Sequence, residues 1–268
     1  MIKCLNLVTL QQGLDTVQGI KIAAGAGFES VGIWADPMEA QPDPAQYAGE
    51  LPQTCEQSGL TISEMCFVGG WMWGEQAAKE AALAQARARA ELACAAGCPL
   101  IIACASGGVG DIEAAARDFR ALCDIGYATD VSFALEYIGM FEQVKDLRTG
   151  LEIVRKANHP KGKLLIDTFH SFRGGSVVED FSLPTGDEVG LVHINDVPQG
   201  DIMQMADSHR IMPGAGALPL KEALSRLADN GYEGAVSVEV FSQDWWDKPL
   251  EQTAKAAFEG LETVMPEG

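Results

Sequence analysis

Four side chains that can bind a metal or move a proton each follow a short apolar run of the sequence. The runs cover residues 131–135, 164–166, 191–192 and 236–238, and the residues after them are Glu136, Asp167, His193 and Glu239. Such runs are typical of strands that are buried on both faces. Because parallel α/β proteins build their active sites at the carboxyl ends of the strands, we expect the four side chains to share one site.

Three carboxylates and one imidazole are the ligands that a hard or borderline divalent ion prefers. Mn²⁺ is the expected ion, with Mg²⁺, Co²⁺ or Zn²⁺ as alternatives. Each residue alone is also compatible with a buried, hydrogen-bonded acid or imidazole, and the four together with a metal-free polar network. Their repetition at successive predicted strand ends favours one divalent metal ion held by Glu136, Asp167, His193 and Glu239.

Such a centre predicts chemistry on an α-hydroxyketone. A divalent ion that binds its two oxygens polarises the carbonyl and stabilises the enediolate formed when the α-proton leaves. One side chain removes that proton and a second returns a proton. Return to the neighbouring carbon is isomerisation, return to the other face is epimerisation, and loss of a β-hydroxyl is dehydration. The sequence leaves these three outcomes open.

Other residues of suitable type lie near the predicted strand ends. Arg210 is interpreted as stabilising a developing oxyanion, with a surface ion pair as the alternative. His170 is interpreted as a substrate contact, or as a side chain that orients a carboxylate. Trp71 is interpreted as stacking on a sugar or cyclitol ring, or as ordinary packing. The glycine-rich stretch 106–110 is read as a tight loop rather than a phosphate site, because it has no lysine.

The elements that position these residues alternate regularly between strand and helix. Strands are predicted at residues 2–8, 28–34, 60–67, 99–104, 131–137, 164–169, 191–195 and 235–241. Helices are predicted at 14–26, 47–58, 75–96, 111–125, 141–157, 177–181, 218–229 and 249–264. This alternation favours a closed (β/α)8 TIM barrel of the α/β class over an open sheet. No linker interrupts it, so we predict a single TIM-barrel domain, 1–268.

Composition narrows the classes of partner. The formal charge of −19 argues against nucleic acid and anionic membranes, because both require a basic surface. The chain has no apolar run of about 18 residues and no signal-peptide pattern at its start. Its seven cysteines are scattered, as expected of reduced thiols. We therefore expect a cytoplasmic protein that acts on a small molecule.

Several of these motifs together resemble a known family, the xylose-isomerase-like sugar isomerase/epimerase superfamily, and within it the 2-keto-myo-inositol (inosose) isomerase group. The motifs lie between about residues 131 and 246: Glu136 in Ala-Leu-Glu-Tyr, Asp167-x-x-His170, His193-Ile-Asn-Asp, Arg210-x-x-Pro-Gly-x-Gly and Ser-Val-Glu239. Before residue 130, only Asn6 of the first predicted strand corresponds to the family pattern.

The resemblance implies a TIM barrel and assigns roles to individual residues. It implies that Glu136, Asp167, His193 and Glu239 are metal ligands and that Glu136 and Glu239 also act as acid and base. It implies that His170, Arg210 and Asn6 contact a sugar or cyclitol substrate. Two positions depart from the family pattern: Phe172 replaces a second histidine, and His209 replaces the acid that precedes the arginine.

Four functions are therefore compared. The first is a metal-dependent isomerase or epimerase of a keto-sugar or keto-inositol. The second is a lyase that uses the same site on a keto-cyclitol or 3-keto-glycoside. The third is a DNA-repair endonuclease of the same superfamily, which requires a histidine-rich site for several metal ions and a basic groove. A chain with only four histidines and a charge of −19 disfavours it. The fourth, a non-catalytic sugar-binding subunit, is disfavoured by the complete ligand set. A homo-oligomer is compatible with each.

Overall fold

A computed structural model gives the structure of residues 1–266. Within these residues, eight parallel strands close into a barrel in the order β1 to β8, with β8 paired to β1. The strands are β1 Ile2–Asn6, β2 Ser30–Trp34, β3 Thr61–Val68, β4 Leu100–Cys104, β5 Ser132–Glu136, β6 Gly162–Asp167, β7 Val189–Ile194 and β8 Ala235–Val238. The (β/α)8 TIM barrel that the alternation predicted is confirmed.

Helices pack around the outside of this barrel. They are α1 Thr16–Ala26, α2 Ala35–Glu39, α3 Pro44–Ser58, α4 Gln76–Ala95, α5 Ile112–Thr129, α6 Leu147–Ala157, α7 Thr168–Gly174, α8 Leu220–Asp229, α9 Gln243–Trp246 and α10 Leu250–Val264. None of the helices in residues 1–266 is long and apolar enough to cross a membrane. The extension of the domain over all of 1–268 stays a prediction, since residues 267 and 268 lie outside the described part.

Local sequence signals set the ends of several helices. Asp15, Asp43 and Asp146 precede α1, α3 and α6, and each carboxylate accepts a hydrogen bond from an N–H group of the first turn. Gly27 and Gly59 end α1 and α3 with φ angles of 98° and 69°, a left-handed conformation that favours glycine. These caps explain why the predicted boundaries of α1 and α3 lie close to the observed ones.

Among the predicted elements whose bounds differ from the structure, three differ for identifiable reasons. The predicted strand 164–169 ends at Asp167 instead, because its Oδ1 accepts a hydrogen bond of 2.7 Å from the N–H of His170 and begins α7. The predicted helix 141–157 begins only at Leu147, after the Asp146 cap. The segment predicted as a short helix at 177–181 is a 3-10 turn, Val178–Ser182.

The apolar core has two layers, as expected of a barrel wrapped by helices. The larger layer lies between strands and helices and includes Leu5, Phe119, Leu151 and Val236. A smaller cluster fills the inside of the barrel with short or branched side chains: Cys4, Cys66, Leu100, Ile102, Ala134, Leu165, Leu191 and Ala235. The carboxyl ends of the strands rise above this inner cluster and carry the polar side chains of the candidate site.

Candidate active site

The four predicted ligand residues meet at the carboxyl ends of β5 to β8. Glu136 and Asp167 are the last residues of β5 and β6, His193 lies near the end of β7, and Glu239 directly follows β8. One ligand atom from each lies within 4.8 Å of the others. All four residues are at most 7% exposed. The structure therefore brings the four side chains together, and their role as ligands of one metal ion stays a prediction.

The imidazole of His193 is oriented toward the three carboxylates. Its Nε2 lies 2.7 Å from Oε2 of Glu64, a buried carboxylate inside the barrel. Its Nδ1 is buried without a hydrogen-bond partner, 3.2 Å from Oε2 of Glu239 and 3.9 Å from Oε1 of Glu136. A buried nitrogen facing carboxylate oxygens fits a divalent cation, which would coordinate Nδ1 and one oxygen of each acid.

The surroundings of the two glutamates move their pKa values in opposite directions. Burial raises the pKa of Glu136 to about 8; the nearby His193 opposes the rise, and Glu239 and Asp167 add to it. Burial acts in the same direction on Glu239, but His193 and Arg210 outweigh it and lower the pKa of Glu239. Burial lowers the pKa of His193, but Glu239 and Glu64 raise it well above its usual value. These directions predict that Glu136 and His193 carry protons at neutral pH when no metal is bound.

Metal binding is therefore expected to release protons. At pH 7, we expect about two protons per divalent ion, because Glu136 and His193 must both be deprotonated to act as ligands. Apparent affinity should rise with pH and become less steep above the Glu136 pKa of about 8. Calorimetric titrations with Mn²⁺ in buffers of different ionisation enthalpy measure this number. Binding at pH 7 without proton release would contradict the assigned protonation states.

Arg210 is buried beside the cluster of predicted ligand residues and does not form a surface ion pair. Its Nη1 donates to Oδ2 of Asp167 at 3.1 Å and to Oε2 of Glu239 at 2.8 Å. Its Nη2 donates to Oδ1 of Asp207 at 2.7 Å and to Nε2 of His170 at 3.1 Å. The residue is 2% exposed. Both terminal nitrogens of the guanidinium are thus engaged with side chains of this site.

His170 is held neutral beside Arg210. Burial and the adjacent guanidinium lower the pKa of His170 to about 3. Since Arg210 has only donors, Nε2 of His170 accepts and Nδ1 carries the proton. That Nδ1 is buried without a partner, and the residue lines the cavity above the cluster. The predicted substrate contact by His170 stays a prediction, since the residue lines the cavity but its Nδ1 is buried.

A cavity of about 460 Å³ opens above the cluster of carboxylates and imidazole. Its floor includes Glu136, His193, Glu239 and Arg210. Its walls are largely apolar: Trp34, Phe67, Ile102, Ile138 and Phe241. The ring of Trp34 meets those of Phe67 and Phe241 edge-on, with centroid distances of 6.0 and 6.3 Å. The volume suits a small ring-shaped or extended substrate.

The prediction that Trp71 stacks on the substrate is wrong in this structure. Trp71 is 1% exposed, lies in the hydrophobic core 5.7 Å from the ring of Phe119, and does not line the cavity. The loop after β3 turns this indole inward because the surrounding apolar surface removes it from water. Phe67, at the end of the same strand, and Trp34 provide the aromatic surface instead.

Asn6 also differs from its predicted role. It is fully buried and does not line the cavity. Its Nδ2 donates to Oε1 of Glu239 and Oε1 of Glu64, both at 3.2 Å, and its Oδ1 accepts from Nε1 of Trp34 at 2.8 Å. Asn6 thus contacts a predicted metal ligand and a wall residue rather than a substrate, so the predicted direct contact is corrected.

The glycine-rich stretch after β4 is confirmed as a loop and offers no phosphate site. The N–H of Gly108 donates to Oε2 of Glu142 at 2.8 Å, and the N–H of Gly110 donates to Oε1 of Gln143 at 2.8 Å. Nε2 of Gln143 donates back to the carbonyl of Gly110 at 3.1 Å. The chain's own side chains therefore occupy the donors that an anion would need.

The two departures from the family pattern lie away from the cavity. Phe172 stacks on Phe181 with a centroid distance of 5.6 Å and packs against the core. His209 is exposed, and its Nδ1 accepts from the N–H of Ala206 at 3.0 Å, which stabilises the short 3-10 turn before Arg210. Neither residue lines the cavity described above.

Phe172→His is expected to leave the ranking of substrates unchanged. The imidazole would replace a ring that contacts Phe181 rather than the cavity, so the cost falls on stability, by about 1–3 kcal/mol as for other changes of buried packing. Comparing kcat/KM over a panel of keto-sugars, together with thermal unfolding, measures both effects. A reordered substrate preference at unchanged stability would show that this position reaches the substrate.

Three contributors to the site were missed from the sequence. Glu64 accepts a hydrogen bond from His193, Asn195 Nδ2 donates to Oδ2 of Asp167 at 3.1 Å, and Sγ of Cys104 donates to Oε2 of Glu136 at 3.0 Å. A signal existed for Glu64, since it lies two residues before Cys66, whose side chain faces the inside of the barrel. An acid on such a face requires buried donors.

Comparison with known proteins identifies the family. The sequence model described as the xylose isomerase-like TIM barrel matches residues 20–264. The chain belongs to this family. Among solved structures, that of the IolI protein with a bound zinc atom superimposes with a TM-score of 0.90 at 20% identity, covering 98% of each chain. At that identity the likeness concerns the fold.

Sequence relatives in the family have more than one activity. An inosose isomerase of Bacillus licheniformis is 32% identical over 151 residues, which are 56% of this chain and 54% of that protein. A 3-dehydroshikimate dehydratase of Pseudomonas putida is 24% identical over 267 residues, which are 96% of this chain and 41% of that protein. The match thus spans about half the length of the isomerase, and less of the dehydratase.

Proposed function

We propose that this chain is a divalent-metal-dependent isomerase or epimerase of a keto-sugar or keto-inositol. The single observation that supports it best is the cluster of Glu136, Asp167, His193 and Glu239, whose ligand atoms lie within 4.8 Å of one another at the floor of a cavity. The unpartnered Nδ1 of His193 supports a cation among them. The inosose isomerase relative supports the substrate class.

The two glutamates are suited to different parts of a proton transfer. A divalent ion bound at the cluster supplies positive charge that stabilises an enediolate. Glu239 is held as a carboxylate by Asn6 at Oε1 and Arg210 at Oε2. Burial raises the pKa of Glu136, so in the metal-free cluster it holds a proton more readily than Glu239, and a bound ion would lower the pKa of both. Two carboxyl groups with pKa values moved apart are typical of an acid and a base in one site.

The surrounding side chains bind and enclose the substrate. His170 lines the cavity and is held by Arg210 at Nε2, which leaves its buried Nδ1–H as the donor for a substrate oxygen once the surrounding side chains admit one. Trp34, Phe67 and Phe241 offer an apolar wall to the carbon face of a sugar or cyclitol ring and exclude water from it. When water is excluded from the cavity, an enediolate is protected from protonation by solvent.

A lyase is the second candidate. The 3-dehydroshikimate dehydratase relative matches 96% of this chain, and the same ligands and acid–base pair support loss of a β-hydroxyl. In this reaction the proton taken from the α-carbon would be passed to the departing hydroxyl, which leaves as water, instead of to the neighbouring carbon. A keto-cyclitol or 3-keto-glycoside would then be the substrate.

Incubation of the Mn²⁺-loaded protein with 2-keto-myo-inositol in D₂O tests the proposal. Mass spectrometry is expected to show deuterium at carbon in a product of the same elemental formula, apart from the exchanged hydrogen. Loss of water would favour the lyase. If neither 2-keto-myo-inositol nor any member of a panel of unphosphorylated keto-sugars takes up deuterium or is converted, both the isomerase and the lyase proposals are contradicted.

Three further assignments belong to the same proposal. Mn²⁺ is proposed as the resident ion because oxygen-rich sites suit it, with Mg²⁺, Co²⁺ or Zn²⁺ as alternatives. A cytoplasmic location is proposed because the seven cysteines are free, as in a reducing compartment. A small-molecule partner, without nucleic acid or membrane, is proposed from the charge of −19, and a homo-oligomer is compatible with it.

A further inference from the structure

Glu64 is a carboxylate buried inside the barrel, in the middle of β3 rather than at a strand end. It is 0% exposed and does not line the cavity. A buried carboxylate is costly unless hydrogen bonds satisfy it. Three side chains do so: His193 through Nε2 at 2.7 Å, Ser237 through Oγ at 2.7 Å and Asn6 through Nδ2 at 3.2 Å.

The two oxygens of Glu64 have separate partners. Oε2 binds Nε2 of His193, whereas Oε1 accepts from Ser237 and Asn6. An imidazole that donates Nε2–H to a carboxylate keeps the lone pair of Nδ1 for another partner and cannot rotate without losing the bond. Asn6 donates from the same Nδ2 to Oε1 of Glu239. Glu64 is therefore connected to two of the four ligand residues.

A glycine on the neighbouring strand provides the space for this carboxylate. Gly32 of β2 is the register partner of Glu64. A Cβ atom at Gly32 would lie 1.9 Å from Oε1 and 2.6 Å from Cδ of Glu64, so any larger residue must displace the side chain. The position of Glu64 thus depends on β2 as well as on its own hydrogen bonds.

We propose that Glu64 is a positioning residue of the metal centre. It orients His193 so that Nδ1 faces the three carboxylates, and through Asn6 it fixes the direction of Glu239. This role rests on the proposed metal site and adds to it a residue that contacts neither the ion nor the substrate. The residue acts through the geometry of its hydrogen bonds.

Glu64→Gln tests the role with little change of volume. Glutamine has one acceptor oxygen, so it can satisfy either the pair Ser237 and Asn6 or His193, but not both. If the oxygen faces Ser237 and Asn6, the amide N–H₂ faces Nε2 of His193 and favours a proton on Nδ1, the atom needed by the ion. We expect Mn²⁺ affinity to fall about 10–100-fold, as for other carboxylates behind metal-binding histidines.

Gly32→Ala is a second variant that keeps the carboxylate but moves it. It should weaken Mn²⁺ binding in the same direction, and it remains informative if Glu64→Gln fails to fold. Asp180→Asn is the matched control: Asp180 is an equally buried acid that accepts from Val177 and pairs with Arg148. It should lower stability without lowering Mn²⁺ affinity, because it contacts none of the four ligands.

Free Mn²⁺ measured by electron paramagnetic resonance gives the affinity of each variant, and thermal unfolding of the metal-free proteins gives stability. Weaker Mn²⁺ binding in both Glu64→Gln and Gly32→Ala, but not in Asp180→Asn, supports the role. If either Glu64→Gln or Gly32→Ala folds and binds Mn²⁺ with wild-type affinity, the positioning role of Glu64 is overturned. If the wild-type protein itself binds no Mn²⁺, the proposed metal site fails, which is a distinguishable result.

Discussion

Glu239→Gln is expected to reduce kcat about a thousandfold or more, since loss of a general acid or base alone typically costs 10²–10⁴-fold. Both carboxylate oxygens accept from a buried donor, Asn6 at Oε1 and Arg210 at Oε2. The amide of glutamine must direct its N–H₂ group at one of these donors. The variant therefore loses the base, one charged ligand and one hydrogen bond together.

Turnover of a keto-inositol by the Mn²⁺-saturated variant measures this loss, with saturation checked separately. Glu262→Gln is the matched control, because Glu262 is a half-exposed acid that pairs with Lys3 far from the cluster. The control should retain wild-type kcat. Full activity in Glu239→Gln would show that Glu239 is neither the acid nor the base.

Asp167→Ala is expected to lower Mn²⁺ affinity at least about 100-fold, since it removes a charged ligand from an otherwise complete set. The same carboxylate caps α7 through the N–H of His170 and pairs with Arg210. Its removal should therefore also destabilise the metal-free protein, by about 0.5–2 kcal/mol for the cap alone. A buried guanidinium left with fewer acceptors adds to that cost.

Asp167→Asn separates the two effects. Asparagine is a good helix cap, so α7 should retain most of its stability while the charged ligand is lost. Both variants should bind Mn²⁺ weakly in a competition titration, and only Asp167→Ala should show the additional loss in denaturant unfolding. Wild-type Mn²⁺ affinity in Asp167→Ala would remove this residue from the ligand set.

The part of the site that the sequence predicted is the part carried by strand ends. Glu136, Asp167 and Glu239 directly follow apolar runs, and parallel strands bring their carboxyl ends to one edge whatever the helices between them do. His193 follows the same rule near the end of β7. This is why a pattern spread over about a hundred residues located the cluster without knowledge of any contact.

The wrong and missing predictions concern side chains whose direction depends on tertiary packing. Trp71 follows β3 by only a few residues, but neighbouring apolar surface turns it into the core. Asn6 is the last residue of β1, but its amide N–H₂ group already donates to Glu64 and Glu239 rather than toward the cavity. Glu64 is not at a strand end, and its role depends on the space left by Gly32. A local sequence pattern contains no information about such contacts between residues of different strands.

The electrostatics of the cavity bear on the rival endonuclease function. Arg210 is the only arginine or lysine that lines the described cavity, and Asp167, Glu239 and Asp207 already neutralise it. A nucleic-acid phosphate requires unpaired basic groups along its path. The acids on the cavity floor and the aromatic wall of Trp34, Phe67 and Phe241 favour a small uncharged substrate instead.

A crystal of this protein soaked in Mn²⁺ tests the central claim most directly. The predicted result is anomalous density for one ion bound by Nδ1 of His193 and by oxygens of Glu136, Asp167 and Glu239, at about 2.0–2.6 Å. Absence of density among these four groups at saturating Mn²⁺, or an ion bound elsewhere with the four side chains turned apart, would contradict it.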